Sequence, residues 1–195
     1  FLIANPAFPA NTVGEVIEAI RGNPGKFNYA SVGSGSPHHL FMEALKAELG
    51  LSIQHVPYKG TQAAMPDLLT GGVQMMFADA TVAVPNIQAG KVTPLGTSSA
   101  KPTTLVPGVP PIAATVKGFD WEAWQGIVAP AATPPAIVAK LAAELQRIQS
   151  TPEFREQLRK FGMESAPPHP PAEFAAIVAA EQPRWQKAVQ PPGAR

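Results

Sequence analysis

At 195 residues, with 45% apolar and 15% charged side chains and a net charge of +1, the chain can bury a real core as one large domain or two small lobes. The sparse charge, with no basic run, leaves no electrostatic footprint for nucleic acid. The lack of cysteine excludes disulfides and thiolate metal sites without fixing the compartment. No apolar run reaches bilayer length. Phe1-Leu2-Ile3-Ala4 lacks the basic start and cleavage site of a signal peptide, so the N-terminus reads as a processed or truncated edge.

Leu2 to Ala4 is a strand candidate closed by Asn5-Pro6. Thr12 and Glu15 fit a capping box, and Val13, Val16, Ile17 and Ile20 mark one helical face. Phe27 to Ala30 reads as a strand that stops at Ser31-Val32-Gly33-Ser34-Gly35-Ser36. A helix from Pro37 to Leu49 follows, with Ser36 as N-cap, proline at its first position and Gly50 as its stop. Ile53 to Val56 is a brief strand ending at Pro57-Tyr58-Lys59-Gly60, and a helix then runs from Thr61 to Leu69. Val73 to Phe77 is a fully buried strand. It ends at Ala78-Asp79-Ala80-Thr81, before a helical stretch through Ile87 and a last short strand from Pro94 to Thr97. Strands alternating with helices at this spacing predict a mostly parallel sheet covered by helices.

After Ser98 a proline-rich connection leads to Asp120–Val128, whose Trp and β-branched content predicts a strand. Three helices are expected beyond it. The first starts at Thr133-Pro134-Pro135, the second runs from Thr151 to Phe161, and the third opens at Pro171; the tail Pro191 to Arg195 is expected to fray. The chain thus divides into a βα-rich block, 7–117, and a helix-rich block, 118–195. One strand is too little sheet for three amphipathic helices, so residues 1–6 are expected to cross over and join the second block.

The turn at 31–36 is the strongest chemical feature. Unpaired N–H groups and the helix dipole make such an N-terminus a place for an anion, and glycine lets it approach the backbone. We expect a carboxylate there, held by N–H and hydroxyl groups of Ser31, Gly33, Ser34, Gly35 and Ser36. Tyr58, Asp79 and Thr81 stand at two other strand ends and are secondary candidates; Asp79 can orient a ligand hydroxyl or amine, or simply cap the helix that follows. Lys59 reads as a solvated lysine. Gly33-x-Gly35 is not a dinucleotide fingerprint, because His38 stands where the third glycine belongs. His38 and His39 point to different helix faces, and with His55 and His169 far away no metal or other cofactor is expected. No nucleophile elbow, HExxH or phosphate-binding loop is present, so catalysis is not expected.

Phe27-Asn28-Tyr29-Ala30-Ser31-x-Gly33-x-Gly35-Ser36-x-x-His39-Leu40 is similar to the signature loop of the tripartite tricarboxylate transporter solute receptors, the TctC or Bug family. So are His55 to Gly60, Asp67 to Gly72, Phe77-x-Asp79 to Lys91, Val106 to Pro110, Trp124-x-Gly126 to Pro134 and Glu181 to Trp185, in the family's order. The resemblance implies a periplasmic-binding-protein type II α/β fold, two lobes joined by crossover strands with a ligand cleft. The family's opening strand and loop have no counterpart here, so the first lobe is expected to be incomplete. The resemblance further implies a periplasmic receptor, not an enzyme, that hands a small carboxylate to membrane permease subunits. The rival reading is an interaction or sensing module, a partial lobe that forms a homodimer and binds no ligand.

Overall fold

The computed structural model describes residues 1–189; the expected fraying from Pro191 to Arg195 lies outside the described residues. The chain forms two compact units, one spanning Phe1–Ala123 and one beginning at Trp124.

The first unit contains β1 (Leu2–Ala4), α1 (Val13–Gly22), β2 (Asn28–Ser31), α2 (Pro37–Leu49), β3 (Gln54–Pro57), α3 (Thr61–Thr70), β4 (Met75–Phe77), α4 (Ala80–Gln88) and β5 (Thr93–Gly96). Its sheet has the order β3-β2-β4-β1-β5. β2 runs parallel to both β3 and β4, whereas β1 lies antiparallel between β4 and β5. The parallel expectation therefore holds for the βα units, and β1 is the single reversed strand of this sheet.

Local chemistry places the elements. Thr12 Oγ1 accepts the Glu15 N–H at 3.2 Å, while Glu15 reaches back to the Asn11 N–H at 2.6 Å. Val13, Val16, Ile17 and Ile20 are all buried, as their spacing predicts. Gly50 ends α2 in the left-handed conformation that favours glycine. Asn5 is buried but fully engaged: its Nδ2 donates to the Leu68 and Leu69 carbonyls at 2.7 and 3.1 Å, and its Oδ1 accepts the Ala7 N–H. It thereby closes the end of α3 with groups that would otherwise be orphaned.

Leu2, Ile3 and Ala4 are completely buried and bond on both sides within the sheet of the first unit. A strand with no polar side chain is best satisfied in a sheet interior, where both faces and both edges are covered. Residues up to Ala123 belong to the first unit. Phe119 stacks on Phe77 with centroids 6.4 Å apart, Trp121 packs against Phe41, and the Trp121 N–H donates to the Ser98 carbonyl at 2.8 Å.

The second unit holds α5 (Pro135–Gln149), α6 (Pro152–Lys160) and α7 (Pro171–Val189). Thr151 caps α6 by accepting the Phe154 N–H. Trp124 meets Phe174 edge-on at 5.2 Å and donates to Glu181 at 2.7 Å. The expected strand over Asp120–Val128 does not form. β-propensity needs a ladder partner, and among the described residues none pairs with this stretch, which leaves Ile127 and Val128 72% and 84% exposed. The apolar stripe of α5 is present, yet none of its residues is buried.

Candidate functional site

The parallel strands β3, β2 and β4 are neighbours, so their carboxyl ends lie along one sheet edge. Each leads within a few residues into a helix: β2 into α2, β3 into α3, β4 into α4. Three helix N-termini, each with unpaired N–H groups and partial positive charge, thus gather at one edge. In open α/β sheets this is where ligands bind.

The turn between β2 and α2 is tied largely to itself. Ser31 is buried; its Oγ accepts the Gly33 N–H at 3.1 Å and lies 2.6 Å from His55 Nε2. Ser36 Oγ donates to the Gly33 carbonyl at 2.6 Å and accepts the His39 N–H, which makes it the N-cap foreseen from sequence. The Gly35 N–H donates to His39 Nδ1 at 3.2 Å. Gly33 and Gly35 have φ of 120° and 80°, and a Cβ at either would meet nothing within 4 Å. Glycine is required there by backbone conformation, and the turn stays open on its outer side. Ser34 is exposed and engages neither N–H nor hydroxyl with any described residue.

Asp79 joins the three helix starts. It does not cap α4 with its side chain; instead Oδ1 meets His38 Nε2 at 3.1 Å, and Oδ2 accepts from Thr61 Oγ1 at 3.4 Å. The hydrogen bond from His38 holds the Asp79 carboxyl below its ordinary value, against the opposing effect of burial. Tyr58, by contrast, is committed along its own βα unit, donating to Asp67 at 2.5 Å. Burial and that hydrogen bond push its phenol up to about 12. Thr81 is exposed in the first turn of α4, and Lys59 is exposed in the β3–α3 loop.

Beneath the turn lies a stack that the sequence reading missed. His39 and His55 have ring centroids 4.3 Å apart, and Tyr29 stacks on His55 at 5.0 Å. The Tyr29 hydroxyl donates to Glu43, which pairs with Lys46 at 2.6 Å. Burial holds both imidazoles below the usual histidine value, and their mutual repulsion lowers His55 further. Burial alone would raise Glu43, but hydrogen bonds from Lys46 and Tyr29 outweigh it and leave the carboxyl low. Only the parallel register, Tyr29 opposite His55, could have revealed this cluster. Neither residue's neighbours in sequence point to it.

A pH dependence follows. With folded-state values below 6.5 for both histidines, the unfolded chain takes up protons first as pH falls through that point. Stability therefore declines with falling pH in this window, and loss at Asp79 and Glu43 extends the decline into the carboxylate range. Thermal melts between about pH 7.5 and 5 should show a steadily falling Tm, and His55→Gln should flatten the upper part of the curve. A Tm that rises on acidification would contradict this.

A mostly parallel α/β sheet with helix starts gathered at one edge is the architecture of binding-protein lobes. The chain belongs to the tripartite tricarboxylate transporter receptor family: the family described as Tripartite tricarboxylate transporter family receptor matches residues 1–193. The UPF0065 protein in the tcbD-tcbE intergenic region of a Pseudomonas species is 36% identical over 179 residues, which cover 91% of this chain and 53% of that protein. Among solved structures, R. palustris Rpa4515 with adipate is similar at a TM-score of 0.85 and 30% identity, over 96% of this chain and 62% of that one. MatC (Rpa3494) from Rhodopseudomonas palustris with bound malate gives 0.81 at 30% identity, over 97% and 65%. This chain spans roughly half the length of the first relative and under two thirds of these structures. The α/β binding-protein fold expected from the resemblance holds over that part, and the family is one of receptors, not enzymes. No helix among the described residues is long and apolar enough to cross a membrane.

Proposed function

We propose that this chain carries the carboxylate-holding lobe of a periplasmic solute receptor, which delivers a small mono- or dicarboxylate to membrane permease subunits. The observation that carries the reading is the convergence of the α2, α3 and α4 N-termini on the edge that bears the open turn. Such an edge offers N–H donors and partial positive charge without a fixed cation, which suits a carboxylate bound reversibly. Adipate and malate, named with two similar proteins, are acids of this class.

Within the turn, roles divide. The hydroxyls of Ser31 and Ser36 and the Gly33 N–H build the loop. Ser34, the His38 N–H in the first turn of α2 and the start of α4 at Thr81 are the groups left to face a ligand. Asp79, paired with His38, favours a ligand that carries a hydroxyl or amino donor beside its carboxylate.

Isothermal titration with malate and adipate, beside their neutral diamides, tests the reading. Only the acids should bind. Ser36→Ala removes the cap and the tether on Gly33, and should cost about 1 kcal/mol of stability and about tenfold in affinity. Diamides binding as well as the acids would overturn it. A second reading rests on the apolar groups left exposed in the second unit, Ile137, Leu141 and Phe161 among them: an interaction module that pairs with another copy. A ligand-free dimer in native mass spectrometry would favour that alternative.

A further inference from the structure

His39 occupies an unusual position. Its Nδ1 accepts the Gly35 N–H at 3.2 Å, so the neutral ring carries its proton on Nε2. The ring lies 4.3 Å from His55 and 6.5 Å from Tyr29, centroid to centroid. The charged groups nearby are Glu43 and Lys46 on its own helix and His55 on β3; Ser31 on β2 holds His55. The two histidines respond differently to a proton. A protonated His55 still donates through Nε2 to Ser31 Oγ, whose own proton can go to the Gly33 carbonyl 3.1 Å away. A protonated His39 cannot keep its bond, because Nδ1 becomes a donor facing the Gly35 donor.

We propose that His39 is a proton-operated latch on the ligand turn: neutral, it holds the Gly35 N–H inward; protonated, it surrenders that N–H to an anion at the turn. The second half rests on the carboxylate reading above; the first does not. Protonation adds an anion donor and places a positive charge beneath the turn, so both changes favour a bound carboxylate. By reciprocity, a bound carboxylate must raise the affinity of His39 for its proton. The burial that keeps the ring neutral at neutral pH keeps the latch closed there. The proximity of His55 makes the two rings titrate in coupled steps, and the latch opens at the step that charges His39.

The test is an NMR titration of the 195-residue chain from about pH 7.5 to 5.5, following the His39 and His55 ring protons and the Gly35 amide, without and with malate. The Gly35 amide should move along the His39 curve. Malate should bind at least about fivefold more tightly at the acid end and shift the His39 midpoint upward. His39→Gln should leave the Gly35 amide flat with pH. His55→Gln, which removes the like charge, should open the latch at higher pH. A Gly35 amide that ignores the His39 titration overturns the latch. A Gly35 amide that follows it, with malate without effect at any pH, supports the latch and counts against the carboxylate reading. Because the wild-type spectra carry the test, it stands even if a variant fails to fold.

Discussion

Ser34→Asp is expected to weaken binding of malate or adipate about a hundredfold while leaving the fold intact. Ser34 is exposed at the open side of the turn, and its φ is negative, so aspartate enters without strain. No internal hydrogen bond is lost, and a new carboxylate beside the start of α2 is welcome to the helix dipole. The change in stability should stay within about 0.5 kcal/mol. Binding suffers because two carboxylates would compete for the same few N–H donors, and like charges brought together at a binding site cost several kcal/mol. Ser34→Asn has the same shape without the charge, so its loss should stay below about fivefold. Titration calorimetry on the two variants separates charge from shape. Equal losses would mean that the turn is not an anion site.

Phe77→Ala should destabilise the first unit by about 3–5 kcal/mol, a large share of the total for a chain of this size. Phe77 is 2% exposed. Its ring meets Phe41 edge-on at 5.5 Å and stacks on Phe119 at 6.4 Å, so truncation opens a cavity between these two rings. Phe77→Leu keeps much of the volume and should cost less than about 1.5 kcal/mol. Leu141→Ala removes a side chain that is 53% exposed on α5 and should change stability by less than about 0.5 kcal/mol. Urea melts of the three variants give the comparison. Similar losses for Phe77→Ala and Leu141→Ala would show that burial does not rank these sites.

Much of this molecule is legible in its sequence because the signals are local. The Thr12 and Ser36 caps, Pro37 at the head of α2 and Gly50 at its end each act within a few residues. The alternation of short apolar runs with amphipathic ones likewise fixes βα units, since a helix must return the chain before the next parallel strand can form. The turn at 31–36 was found the same way, through glycine and serine before a helix start. Its ordered set of motifs also sufficed to place the chain in its family.

What required the tertiary structure was every decision between distant segments. Residues 2–4 carry no mark of which sheet they join; burial on both faces and free edges on β4 and β5 placed them. Asp120–Val128 has strand composition but met no partner, and a strand is a property of a pair. Within the turn, local chemistry marked which groups could donate but not their partners. Only the folded register shows Ser31 held to His55, Gly35 to His39 and Asp79 to His38, leaving Ser34 open. Sequence determines which groups can donate; the packing of β2, β3 and α2 decides which donors are already spent, because each buried polar group must find its partner first.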